Sequence, residues 1–199
     1  MENYDKQLNS LRHLFIGRRY YKAYEAITFA QKYHTGFRKD GVTPEFTHQI
    51  IVTNYLVTLE DNLLYPEPTF CAALLHDVVE DYNVTVKQIE DLFGTQIADA
   101  VDNLSKVVDG VKKSPDMYFH KLSTDPIGSL GKGSDRIHNF QSMPGVFNKE
   151  KQLQYIAECE EYILPMLKTA RKNFPQQIMS YYNIKHILKS QMELLRLIP

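Results

Sequence analysis

Ala72-Ala73-Leu74-Leu75-His76-Asp77-Val78-Val79-Glu80-Asp81 is an apolar, helix-forming run broken by two polar doublets. At about 100° per residue on an α-helix, His76, Asp77, Glu80 and Asp81 fall within an arc of roughly 140°. Ala72, Leu75, Val78 and Val79 take the opposite flank. Three carboxylates and an imidazole on one face repel one another and resist desolvation unless a positive charge sits among them. A divalent metal meets that need, since imidazole suits Mn, Fe or Zn and the carboxylates keep a hard ion acceptable. The competing reading is an amphipathic helix with a solvated acidic face. Chance should place all four residue types at these offsets in roughly one chain of this size in a thousand.

The periodicity on either side is helical almost throughout. Tyr20, Ala23, Tyr24, Ile27 and Ala30 form one apolar stripe, and a loop with Gly36, Gly41 and Pro44 follows it. A second helix runs through His48, Ile51, Tyr55 and Leu59, and Pro66 opens the one that carries His76. Thr85 and Gln88 have capping-box spacing, for a short helix ending near Phe93-Gly94. Ile97, Val101, Leu104 and Val108 continue the helical pattern. Ser114-Pro115 and Asp125-Pro126 each pair a capping residue with proline at the first helical position. The second start leads through Gly128 to Met143. A long helix is expected from about Lys149 to Lys172, kinked at Pro165. No stretch alternates like a strand, and no repeat is present, so the expected fold is all-α and compact.

At 199 residues the chain suits one domain, 1–199, with a core over about 20–172 and an amphipathic C-terminal helix over about 176–198. A net charge of −1 gives no general drive toward nucleic acid or acidic membranes. The basic run from Arg12 to Lys22 reads as a solvated helix face. Cys71 and Cys159 lie in apolar helical contexts and suit small buried residues rather than a disulfide. With no apolar leader and no membrane-length apolar run, a cytoplasmic protein is expected.

One Asp and one His leave a metal short of ligands. The best complement is Lys132-Gly133-Ser134-Asp135-Arg136-Ile137-His138-Asn139, where Asp135 and Asn139 share a helical face. By itself, Asp135 is equally an acid at a helix start, and a lone His such as His48 is more often a satisfied core or surface residue than a ligand.

The ordered set of motifs resembles the HD-domain phosphohydrolases, and within them the hydrolase domain of the RelA/SpoT alarmone enzymes. The resemblance runs from Ala30 to about Met143. It takes in His34-Thr35-Gly36-Phe37-Arg38-Lys39-Asp40-Gly41, Pro44 to His48, the run from Ala72 to Asp81, Thr85 to Gly94, Tyr118-Phe119, Asp125-Pro126 and Asp135 to Asn139. Nothing resembles a synthetase domain, so the small stand-alone alarmone hydrolases, including the metazoan SpoT homologues, are the closer comparison. The resemblance implies an HD-type helical bundle in which His48, His76, Asp77 and Asp135 bind one Mn²⁺. It implies that Glu80 and Asp81 handle the attacking water, that Arg38 packs on a guanine ring, that Lys39 assists near phosphate, and that Asn139 and Ser142 touch the nucleoside.

Three features depart from the family pattern. One extra residue separates Arg38 from His48, Gly131-Lys132-Gly133-Ser134 replaces an apolar segment, and Gln141 stands where Arg is common. These bear on the base and ribose contacts. The expected activity is a (p)ppGpp 3′-pyrophosphohydrolase of the stringent response, releasing pyrophosphate and GDP or GTP. Alternatives are another HD-type phosphohydrolase, acting on NADPH, a dNTP or a nucleoside monophosphate, and a non-catalytic nucleotide-binding module. The expected partner is a small nucleotide, with homo-oligomerisation left open.

Overall fold

Helix α4, Pro66–Leu75, is the centre of the molecule: all seven residues from Thr69 to Leu75 are buried. Pro66 opens it at a position whose missing N–H costs the helix nothing. The small side chains of Cys71, Ala72 and Ala73 let neighbours approach closely. Around it pack α2 (Tyr21–Ala30), α3 (Thr47–Val57), α7 (Thr95–Leu104) and α9 (Gly128–Ser142). Helix α1 is Glu2–Arg18, α6 is Val86–Phe93 and α8 is Pro115–Ser123. The computed structural model describes residues 2–108 and 110–197. Among these, no helix is long and apolar enough to cross a membrane. Cys71 and Cys159 are free and buried.

The start signals at Thr85 and Ser114 are used. Thr85 and Gln88 form a reciprocal capping box, and the Ser114 side chain accepts the Met117 N–H. At Asp125 the regular helix begins two residues later than expected. Its carboxylate takes the Ile127 N–H at 2.8 Å and the Asn103 amide at 2.9 Å, closing a turn before Gly128.

The run around His76 is not one unbroken helix. Helix α4 stops at Leu75, His76 and Asp77 form a turn, and α5 covers Val78–Asp81. The His76 Nδ1–H donates to the Ala73 carbonyl at 2.7 Å, the oxygen a continuous helix would give to the N–H of Asp77. Both residues keep right-handed helical backbone angles, so the expected shared face survives the break.

Val108 lies outside α7, against the helical expectation. It pairs with Val111 in a hairpin of β1 (Val107–Val108) and β2 (Val111–Lys112), with Gly110 at φ +76°. The sequence doublet Asp109-Gly110 is the signal for such a turn, although Asp109 itself lies outside the described residues.

The long helix after Lys149 is also divided. Helix α10 is Lys149–Glu158, a wider π turn covers Cys159–Ile163, and α11 is Leu164–Asn173. The Leu164 N–H donates five residues back to Cys159, which accommodates the missing N–H of Pro165 without a sharp break. Helix α12, Ile178–Leu197, matches the expected C-terminal helix, whose last residue Ile198 lies outside the described residues. It packs along α9. A Cβ on Gly133 would sit 2.7 Å from Cγ2 of Ile184, so only glycine lets the two helices meet here.

Gly→Ala inside a helix ordinarily gains up to about 1 kcal/mol. Gly133→Ala should instead lose about 1–2 kcal/mol through overpacking, and adding Ile184→Val should recover part of it. Chemical denaturation of the three proteins checks this; an unchanged or raised midpoint in Gly133→Ala would refute the close packing.

Candidate metal centre

Three parts of the fold aim ionisable side chains at one buried point. His48 stands on the first turn of α3, His76 and Asp77 on the turn between α4 and α5, and Asp135 in the middle of α9. His48 Nε2 lies 3.1 Å from His76 Nε2 and 3.2 Å from Asp135 Oδ1. Asp77 Oδ2 is 3.1 Å from His76 Nε2 and 4.0 Å from His48 Nε2. The donor atoms of His48, His76 and Asp77 all fall within 4.8 Å of one another.

The donor chemistry fits a divalent cation. With the His76 Nδ1 proton on Ala73, a neutral His76 turns the Nε2 lone pair into the cluster. His48 Nδ1 is 2.6 Å from His138 Nδ1, so His48 also meets the cluster through Nε2. Two buried imidazole lone pairs 3.1 Å apart need a cation or a proton between them. Outer contacts hold the carboxylates: Gln49 donates to Asp77 Oδ2 at 3.0 Å, and Asn139 to Asp135 Oδ1 at 2.6 Å. Contacts of this kind orient ligands and tune a bound ion.

The electrostatics follow from burial and pairing. Burial works against the Asp135 charge, yet Lys132 at 2.6 Å and His48 hold its carboxyl well below the usual range. Asp77 is lowered in the same way by His76, and burial lowers His48. Asp81 differs: partial loss of solvent, then the carboxylates of Asp77 and Glu80, push it up to about 6. Glu80 is aimed rather than free, accepting the Lys106 N–H at 2.7 Å. Lys106 is tethered in turn, its ammonium reaching Glu158 at 2.8 Å, and Arg136 holds the other oxygen of Glu158.

The cluster sits in an inner cavity of about 200 Å³, also lined by Glu80, Asp81, Lys106 and Lys132. Arg38, Asp81 and Asn139 line both this space and an outer cavity of about 640 Å³. The outer wall carries Ser142, Phe147 and Tyr155. Arg38 reaches Ser142 Oγ at 3.5 Å from a loop closed by the Phe37–Pro44 bridge and the Asp40 carboxylate. Every expected site residue therefore borders one of the two spaces. Lys39 stands apart from the inner one, its ammonium 5.1 Å over the Phe147 ring. Gln141 faces a different cavity, beside Tyr55 and Ile137.

Sequence reasoning missed Lys132, Lys106, Gln49 and His138. Lys132 was legible, three residues before Asp135 and so on its helical face. Lys106 was not, because the hairpin that presents it went unrecognised.

Residues 26–117 match the family model described as HD domain. Among curated proteins, the chain is 31% identical over 150 residues to the guanosine-3′,5′-bis(diphosphate) 3′-pyrophosphohydrolase of Aquifex aeolicus, a match covering 73% of this chain and 20% of the relative. It is 29% identical over 150 residues to the GTP pyrophosphokinase rsh of Brucella melitensis biotype 1, covering 71% of this chain and 19% of the relative. The chain thus spans about a fifth of the length of the curated relatives it matches. A solved structure described as a metazoan ortholog of SpoT that hydrolyzes ppGpp superimposes with a TM-score of 0.64 at 22% identity, covering 82% of this chain and 93% of the other. At that identity the likeness establishes a shared helical fold.

Without metal, His76 is pushed up to about 9: burial opposes its charge, but Asp77 and Asp135 outweigh burial. A proton bound more tightly in the folded chain stabilises fully below the unfolded value of about 6.5. That contribution is lost as pH rises through about 9. Chelator-treated protein should therefore lose thermal stability between pH about 6.5 and 9 more steeply than metal-loaded protein, where a cation takes the proton's place. Calorimetry of both forms across this range checks it, and parallel curves would refute it.

Proposed function

We propose that this chain is a single-domain, Mn²⁺-dependent 3′-pyrophosphohydrolase of (p)ppGpp, releasing pyrophosphate and GDP or GTP. The observation that carries this reading is the junction of the two cavities. A buried cluster of two imidazoles and two carboxylates opens, past Asp81 and Asn139, into a space of about 640 Å³, within the range that holds a nucleotide. The ppGpp hydrolysis named for the Aquifex relative and for the metazoan structure supports it.

In this reading His48, His76, Asp77 and Asp135 hold one ion. A bound divalent cation supplies Lewis acidity and neutralises phosphate charge. Asp81, with its carboxyl raised to about 6, accepts the proton of the attacking water near neutral pH. Glu80, fixed by the Lys106 N–H, orients that water. The new bond forms between water oxygen and the phosphorus on the ribose 3′-oxygen; the 3′-oxygen leaves and takes up a proton. Lys132 and Lys106 bring positive charge to the inner cavity. Arg38 lays its planar guanidinium on the base, and Asn139 and Ser142 meet the sugar. The seat of Lys39 on Phe147 favours one second reading, a phosphohydrolase of other nucleotides such as NADPH or dNTPs.

The deciding experiment is turnover with added Mn²⁺ on ppGpp, NADPH, a dNTP and a nucleoside monophosphate. ppGpp should be cleaved fastest and chelation should abolish activity; faster cleavage of another member would overturn the substrate, and full activity in metal-free protein the metal. Glu80→Gln and Asp81→Asn should keep their metal by elemental analysis while losing about 10²–10⁴-fold in turnover. Metal loss in either would make that residue a ligand. Arg38→Ala should raise KM for ppGpp about 5- to 150-fold, from a stacking contribution of roughly 1–3 kcal/mol, with little change on a small phosphoester lacking a base. An unchanged KM would remove Arg38 from the site.

A further inference from the structure

Helices α11 and α12, joined through the turn Pro175–Gln177, leave a groove of about 410 Å³ between them, behind α9. It shares no lining residue with the catalytic cavities. Leu167 and Ile184 close against Gly133 with no room even for a Cβ, so the two spaces are separated by packed side chains.

The floor of the groove is apolar and fixed. Half-buried Leu164 and exposed Pro165 form it, over the buried side chains of Leu167 and Tyr181; the Tyr181 hydroxyl is held by Ser129 at 2.9 Å and Gln177 at 2.7 Å. The rim is cationic: Lys168 and Arg171 come from α11, Lys185 and Lys189 from α12. Its single acid, Glu160, is engaged by Arg196 at 2.8 Å. Among the described residues, Lys168, Lys185 and Lys189 have no ion-pair partner within 4.0 Å, and Arg171 lies 4.6 Å over the Tyr182 ring.

This pooling of charge is local. Residues 164–199 carry six basic side chains and one acidic, whereas residues 1–163 carry 17 basic and 23 acidic, leaving a net charge of −1. Like charges around a concave, apolar floor repel one another and focus a positive potential into the groove, which a multiply charged anion relieves. The volume suits a small ligand. The floor demands more than charge, because it leaves apolar surface for a flat body to cover.

We propose that this groove is a second binding site, for a small phosphorylated molecule with a flat apolar body. Lys168, Lys185 and Lys189 hold the phosphates, and the body lies on Leu164 and Pro165. The assignment does not depend on the activity proposed for the metal centre.

The test is a methyl ¹H–¹³C titration of the full chain at near-physiological salt, with ADP as probe and inorganic pyrophosphate and a Glu-rich peptide as comparators. ADP should shift the Leu164 and Leu167 methyls saturably. Lys168→Ala combined with Lys185→Ala should weaken that response at least about 10-fold, while any response of Ile51 and Val146 in the catalytic cavity stays unchanged. The substituted lysines are exposed, and the methyl spectrum itself reports that the variant is folded. No saturable shift up to about 10 mM ADP, some 10 times a millimolar Kd, would overturn the site, as would an undiminished response in the double variant. Equal affinity for pyrophosphate would overturn the role of the floor, and tighter binding of the peptide the class of ligand.

Discussion

Two buried imidazole nitrogens, His48 Nε2 and His76 Nε2, face each other at 3.1 Å with the carboxylates of Asp77 and Asp135 beside them. Such a group is costly to bury unless its charges balance. Everything near it serves that balance. His76 closes the end of α4 by taking the Ala73 carbonyl, which also selects the nitrogen it presents. Lys132, Asn139 and Gln49 pair with the carboxylates, and His138 orients His48. The break in the helix after Leu75 is thus the same event as the positioning of the His76 imidazole in the cluster.

The scaffold brings these groups together by letting helices approach closely. Helix α4 presents Cys71, Ala72 and Ala73 to its neighbours, and α9 presents Gly133 where α12 crosses it. With α9 held from behind, Lys132, Asp135 and Asn139 keep one face toward the cluster. The hairpin after α7 closes the other side. It carries Lys106 to Glu80, and the Arg136–Glu158 pair fastens Lys106 to α10. This fold places a polar, charge-balanced centre at the bottom of a wider cavity whose walls come from loops and helix ends.

Much of this was legible in local pattern. Helical periodicity, the capping box at Thr85 and the Ser114-Pro115 start all describe interactions within a few residues, and all appear as expected. The shared face of His76, Asp77, Glu80 and Asp81 follows from backbone angles that persist through the turn. The pairing of these residues with Asp135 and His48 was legible only through resemblance, because a lone histidine or aspartate on a helix carries no mark of what it will face.

What the sequence determined alone was the helical class, most helix starts and the metal-type character of the run from His76 to Asp81, since each depends on neighbours along the chain. Tertiary structure decided the rest. The His76–Asp77 break, the Val107–Lys112 hairpin, the widened turn before Pro165 and the entry of Lys132 and Lys106 into the inner cavity arise from groups far apart in sequence. Which lone pair must be satisfied, and which charge must be paired, is settled only when the helices pack and water is excluded.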